Sequence, residues 1–117
     1  MTENTISEQS FAFAVRIVNL YKYLIGEHKE YVMARQILRC GTSIGANVAE
    51  AQKGQSKADF IAKMQIALKE ACETEYWLRL LCRTDYITRE QFTSMNQNVD
   101  EIISMLSAIC KTTKEKQ

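Results

Sequence analysis

Apolar residues recur at helical spacing in the first part of the chain. Between residues 11 and 25 the strongly polar positions are three apart. They are Arg16, Asn19 and Lys22. This spacing confines them to one narrow stripe and leaves roughly two thirds of the helix surface apolar, more than a lone bundle buries. The pattern predicts a helix over residues 7–26 whose surplus apolar surface is covered by another subunit. The alternative is that the outward tyrosines, Tyr21 and Tyr23, lie in solvent.

A second helix is predicted over residues 31–52, where apolar and small residues follow the i, i+3, i+4, i+7 rule of a buried face. These residues are Ala34, Ile37, Leu38, Gly41, Ile44, Gly45, Val48 and Ala49. A glycine inside a helix costs about 1 kcal/mol relative to alanine. Gly41 and Gly45 therefore predict that a neighbouring backbone approaches this face closely. Gly26, which precedes a charged run, is predicted to close the first helix.

Two further helices are predicted over residues 56–84 and 88–112, and each begins with a capping signal. Ser56 and Asp59 resemble a capping box, while Thr88 and Gln91 match one. Ile87 and Phe92 add the spacing of a hydrophobic staple.

Four helices joined by short connections must alternate in direction. The sequence therefore predicts an all-α, antiparallel up-down-up-down four-helix bundle. A chain of 117 residues is long enough for one core and too short for two, so residues 1–117 are predicted to form a single domain.

Composition supports an ordinary globular protein with few helix breakers. The chain has no proline, four glycines, 46% hydrophobic and 25% charged residues, and a formal net charge of +1. This balance supplies no global attraction toward nucleic acid or anionic lipid. The polar start of the chain is unlike a signal peptide, and no apolar run approaches the length of a membrane span. We expect a cytoplasmic protein with no membrane partner.

The residue types needed for most active sites are scarce. The single histidine, His28, falls in a predicted connection, which excludes the Glu-x-x-His pairs of di-metal carboxylate bundles. The glycines match no phosphate-binding loop. The cysteines are widely spaced, without a C-x-x-C pair: Cys40, Cys72, Cys82 and Cys110. We therefore expect no enzymatic activity, no catalytic residues, no metal site and no cofactor.

Local basic clusters suggest one kind of partner. Arg35 and Arg39 share a face of the second helix, and Lys53 and Lys57 flank the turn that follows it. Copied around an oligomer, these four side chains are candidates for contacting RNA or DNA. The alternative is ordinary solubilising charge.

Exposed aromatic residues suggest a different partner. The candidates are Tyr76, Trp77 and Tyr86. They would serve a protein-protein adaptor or scaffold that binds a partner protein and no nucleic acid.

The stretch LRCGTSIGANVAEAQKGQSKADFIAKMQIALKEACETEYWLRLL closely resembles a bacterial four-helix-bundle family named for proteins encoded in 23S rRNA intervening sequences, often labelled ribosomal. The resemblance covers nearly the whole chain. Its most specific part is the motif Ser-Ile-x-Ala-Asn-(Val/Ile)-Ala-Glu, which spans Ser43 to Glu50. Gly45 stands where many relatives have proline, and Ala51 where many have glycine, so the second helix should be straighter and longer here.

The resemblance implies a homo-oligomer, typically a pentameric ring. It also implies kinship with the accessory variability determinant of diversity-generating retroelements, whose strongly basic members bind nucleic acid and a reverse transcriptase. Within the motif, Ser43, Asn47 and Glu50 are expected to cap, bridge or orient helices. We hypothesise a non-enzymatic homo-oligomer that associates with nucleic acid or ribonucleoprotein.

Overall fold

Each predicted segment folds as a helix in the computed structural model, which describes the backbone of residues 5–115 and the side chains of residues 5–113. The four helices are α1 (Ile6–Glu27), α2 (Val32–Gln52), α3 (Lys57–Arg83) and α4 (Arg89–Glu115). Every predicted helix end agrees to within three residues, and the largest difference is the end of α4, predicted at 112. Positions 1–4 and 116–117 of the predicted 1–117 domain lie outside the described residues.

The helices form an antiparallel bundle, as predicted. The connections 28–31, 53–56 and 84–88 are so short that consecutive helices must run side by side in opposite directions. α2 and α4 each contact both α1 and α3, which places α1 diagonally opposite α3. The α1–α4 seam is the least extensive of the four helix contacts. The bundle measures 47 × 25 × 24 Å.

One aliphatic core runs the length of the bundle and receives side chains from every helix. Its largest fully buried members are Phe13, Ile17, Leu24, Ile37, Ile44, Val48, Met64, Leu78, Leu81, Val99, Ile102 and Leu106. Their i, i+3, i+4 and i+7 spacing turns one face of each helix inward. Burying this face holds the four helices together.

Side-chain caps set the start of three helices. The hydroxyl of Thr88 accepts a bond from the backbone N–H of Gln91 at 3.0 Å, and the Gln91 side chain accepts from the Thr88 N–H at 2.7 Å, which confirms the predicted capping box. At α3, Ser56 accepts from the Asp59 N–H at 3.0 Å, which is one half of a box. A second complete capping box, between Thr5 and Glu8, places the start of α1 at Ile6, one residue before the predicted start.

The end of α1 differs from the prediction. Gly26 lies inside the helix, and Lys29 takes the left-handed conformation that ends it, with φ 54°. At the end of α3, Asp85 has φ 69°, and the N–H groups of Asp85 and Tyr86 donate to the carbonyls of Cys82 and Leu81. This is a Schellman motif built on a residue other than glycine.

The two central glycines of α2 let it approach α1, as predicted. A Cβ atom added at Gly41 would lie 2.7 Å from Cγ1 of Ile17, a fully buried side chain. One added at Gly45 would lie 3.2 Å from the backbone oxygen of Ser10. Gly45 therefore accommodates a backbone and Gly41 a core side chain, both from α1.

Candidate functional site

The outer surface of α1 carries a stripe of exposed apolar side chains. Phe11, Val15 and Val18 are 71%, 48% and 36% exposed, and their i, i+4, i+7 spacing aligns them on one face. We call these three residues the α1 stripe. Tyr21 and Tyr23, the tyrosines expected to point outward, are half-buried against the core. The surplus apolar surface predicted for this helix therefore comes from the α1 stripe.

Other large apolar side chains are exposed singly on different parts of the described chain. Tyr31 and Val32 lie where α2 begins, and Ile66 and Tyr76 lie on α3, ten positions apart. Single exposed apolar residues are normal on a soluble protein, whereas a contiguous patch marks an interaction surface. The α1 stripe is therefore a stronger candidate for an interaction surface than these scattered side chains.

Arg39, one of the four basic candidates, is held by acidic side chains of the same chain. Its guanidinium lies 2.8 Å from the carboxylate of Glu73 and 3.3 Å from that of Glu70, both on α3. The hydrogen bond with Glu73 raises the pKa of Arg39. The indole N–H of Trp77 donates to Glu73 at 3.1 Å, and this bond, followed by that from Arg39, lowers the pKa of Glu73. In this network two carboxylates balance the positive charge of Arg39, and the contacts join α2 to α3.

The other three basic candidates are exposed, but the structure does not bring all four together. Lys53 and Lys57 flank the 53–56 connection at one end of the bundle. Arg35 lies near the start of α2, roughly 27 Å away from Lys53 at a rise of 1.5 Å per residue. A continuous basic patch on one subunit is therefore limited to the lysine pair.

The motif residues of α2 form hydrogen bonds within the helix and one ion pair to α3. The Asn47 amide donates to the backbone oxygen of Ser43 at 2.8 Å and lies 3.1 Å from its hydroxyl. The carboxylate of Glu50 lies 2.9 Å from the ammonium of Lys63 on α3. Asn47 and Ser43 thus interact within one helix, while Glu50 links two.

The aromatic candidates for protein binding differ in exposure. Tyr76 is 52% exposed and packs edge-on against Trp77, with 5.2 Å between ring centroids. Trp77 and Tyr86 are half-buried against the core. His28, which lies in the predicted connection after α1, is exposed and sits between Tyr23 and Tyr86, at centroid distances of 5.2 and 5.4 Å.

The cysteines sit in unlike environments. Cys40 and Cys110 are buried, Cys82 is half-buried and Cys72 is exposed. Burial raises the pKa of Cys40 to about 11, although its thiol accepts a hydrogen bond from Thr74. A thiol with so high a pKa is a poor nucleophile at neutral pH. In the part of the chain that the structure describes, no group of three or more His, Cys, Asp or Glu side chains could hold a metal ion.

A carboxyl pair links α3 to α4. The hydrogen bond between Glu75 and Asp100, then burial and the charge of Asp100, raise the pKa of Glu75. A raised carboxyl pKa favours folding below the group's ordinary pKa, and that stabilisation is lost as pH rises through the raised value.

We therefore expect Asp100→Asn to raise the melting temperature at pH 7 by a few degrees at most, and to have a smaller effect at acidic pH, below the raised pKa of Glu75. Thermal melts across this range measure the difference. Glu101→Gln removes the same charge from an exposed neighbour and serves as the control. An equal response from both variants at every pH contradicts the coupling.

The fold defines a class of protein, the all-α four-helix bundle. None of the four helices described here has the length and apolarity that crossing a bilayer requires.

The sequence also assigns the protein to a known family. The chain belongs to the 23S rRNA-intervening sequence protein family, whose model matches residues 2–108. It is similar to a crystal structure of a protein of unknown function from the S23 ribosomal protein family of Bacteroides thetaiotaomicron VPI-5482. The two are 62% identical with a TM-score of 0.90, over 92% of this chain and 99% of the other. No curated protein matches the chain.

Proposed function

We propose that this chain is a non-enzymatic subunit of a homo-oligomer that assembles through the α1 stripe. The observation that carries the proposal is the alignment of Phe11, Val15 and Val18, all exposed, on one helix face. Association with another apolar surface is favoured because it removes that face from water. Most soluble oligomers are formed by identical chains, so a second copy of this chain is the proposed partner. The family resemblance supports a pentameric ring as the form of the assembly.

The proposed role of the assembly is association with nucleic acid or ribonucleoprotein in the cytoplasm. Lys53 and Lys57 support it, because both are exposed and neither forms an ion pair with a described residue. A pair of lysines binds phosphate weakly. Repeated around a ring, such pairs bind one strand several times, and the combined affinity exceeds that of each contact. Arg35 supplies a separate positive charge near the opposite end of each subunit.

A protein-protein adaptor is the second candidate function. It is favoured by Tyr76, which presents half of a large aromatic side chain to solvent beside Trp77. Tyrosine and tryptophan are enriched at the centres of protein interfaces. In this role the ring would collect copies of a partner protein and bind no nucleic acid.

Electrophoretic mobility shifts titrated with salt distinguish the two functions. We expect the unaltered protein to retard single-stranded RNA at low salt, with affinity falling steeply as salt rises. The variant Lys53→Gln/Lys57→Gln should bind more weakly and show a shallower salt dependence, by roughly 0.7 for each phosphate that the lysines no longer neutralise. The variant Lys29→Gln/Arg89→Gln removes two exposed charges from the opposite end and should bind like the unaltered protein.

Absence of RNA and DNA binding by the unaltered protein at low salt overturns the nucleic-acid role and leaves the adaptor. Equal losses of affinity in the two double variants would mean that net charge, and not the 53–57 lysine pair, governs binding. Neither result bears on self-assembly, which is measured separately by sedimentation.

A further inference from the structure

A cavity of about 300 Å³ lies in the α1–α4 seam and has no part in the assembly or nucleic-acid contacts proposed above. Its lining residues are Arg16, Asn19, Leu20, Tyr23, Ile87, Gln91 and Met95. The volume is at the lower end of the range for small-molecule sites. The α1 stripe contains none of these residues, although Asn19 borders it, four positions after Val15.

Arg16 supplies the charge in this cavity, and its partners are neutral. The guanidinium is half-buried and donates to the hydroxyl of Ser94 at 2.8 Å, to the backbone oxygen of Ser94 at 3.4 Å and to the amide oxygen of Asn98. Among the described residues, no carboxylate lies within ion-pair distance of Arg16. A guanidinium has five N–H donors, so these bonds leave donors for another acceptor.

The remaining walls suit the body of an organic molecule. Leu20, Ile87 and Met95 supply apolar surface, and Ile87 and Met95 are almost fully buried. The amides of Asn19 and Gln91 add polar atoms. Tyr23, the lining residue nearest the end of α1, is fixed by the imidazole of His28, 3.2 Å from its hydroxyl. A mostly apolar cavity with a few polar groups and one charge is the usual composition of a small-ligand site.

A second cavity, of about 200 Å³, is also lined by Arg16 but differs from the first in its charge. Its lining includes Glu101 as well as Arg16, so an anion there would meet a carboxylate. The first cavity has no acidic lining residue. The two cavities share the same guanidinium, but the first alone offers it without a competing negative charge.

We propose that the cavity lined by Arg16, Leu20 and Met95 binds a small organic acid with one carboxylate and a compact apolar body. The carboxylate accepts hydrogen bonds from the free N–H groups of Arg16, and this ion pair is stronger than the present bonds from Arg16 to the neutral acceptors on Ser94 and Asn98. The apolar body packs on Leu20, Ile87 and Met95. The ligand touches both α1 and α4, and because it binds the folded state it stabilises the seam where the bundle has its least extensive helix contact.

The test uses sodium benzoate as the probe and benzamide as its uncharged counterpart, added at constant ionic strength to the isotope-labelled full chain. We expect benzoate to produce saturable shifts in the backbone amide resonances of residues 16–23 and 87–95, with an affinity at least about tenfold above that of benzamide. Shifts that never saturate, or equal affinities for the two compounds, overturn the proposal.

Three variants assign the binding to this cavity. Arg16→Gln should abolish the preference for benzoate, while Lys22→Gln, which removes an exposed charge from the same helix outside the cavity, should retain it. Leu20→Phe keeps Arg16 but fills the cavity, and it should block both compounds. Each variant is first checked by thermal unfolding. If Arg16→Gln does not fold, Leu20→Phe decides: benzoate binding unchanged in that variant overturns the assignment.

Discussion

Val15→Glu is expected to convert the proposed homo-oligomer into folded monomers. Val15 is the middle residue of the α1 stripe and is 48% exposed in the subunit, so a glutamate there reaches water and leaves the bundle intact. In the assembly the same side chain would be buried against another subunit. A carboxylate buried without a partner costs several kcal/mol, enough to dissociate an interface of modest size. Size-exclusion chromatography with light scattering measures the mass, and circular dichroism checks that the helices remain.

Val32→Glu is the matched control for this experiment. Val32 is 69% exposed at the start of α2 and does not belong to the α1 stripe. The substitution introduces the same charge at an equally apolar position, and the assembly should keep its mass. A Val15→Glu protein that retains the mass of the unaltered one would show that the subunits meet through another face.

Gly41→Ala is expected to destabilise the fold, although alanine is the better helix former. The new methyl group would lie 2.7 to 2.9 Å from three atoms of the buried Ile17 side chain. Overpacking a closed core costs about 1 to 3 kcal/mol, against a gain of about 1 kcal/mol in helix propensity. The difference is a net loss of up to about 2 kcal/mol, and a loss of about 1 kcal/mol, the middle of this range, should lower the melting temperature by roughly 4 °C.

Two further variants check this explanation. Gly26→Ala places a methyl group where no atom lies within 4 Å, so it should stabilise the protein by up to about 1 kcal/mol. In the background Ile17→Ala, where the obstructing side chain is gone, Gly41→Ala should no longer destabilise. A loss of the same size in that background would mean that contact with Ile17 is not the cause.

The fold could be predicted from the sequence because one periodic pattern determines most of it. Each helix carries its own apolar face, and connections too short for crossovers leave a single arrangement. The residues that end each helix were harder to predict from the sequence. Gly26 matched a helix terminator by residue type, but a glycine also tolerates the helical interior when the next turn still packs. Lys29 takes a left-handed conformation that its residue type does not favour, whereas Asp85 takes one that aspartate adopts more readily than most residues other than glycine.

The candidate surfaces were predicted only in part. Surplus apolar surface on α1 followed from periodicity, but which side chains remain exposed depends on how α1 is rotated against α2 and α4. Arg39 looked available because its acidic partners, Glu70 and Glu73, lie 31 and 34 positions away in the sequence. Periodicity assigns Arg16 to a narrow polar stripe, but its contact with α4 at Ser94 depends on the same helix rotation.

Sedimentation velocity of the unaltered protein tests the central claim most directly. The claim is that the exposed apolar side chains of the α1 stripe are covered by another copy of the chain, so that the protein is an oligomer in solution. We expect a single boundary with the mass of a closed oligomer, unchanged over a wide range of micromolar concentrations. A folded, soluble species with the 13.4 kDa mass of one chain across that range would contradict it.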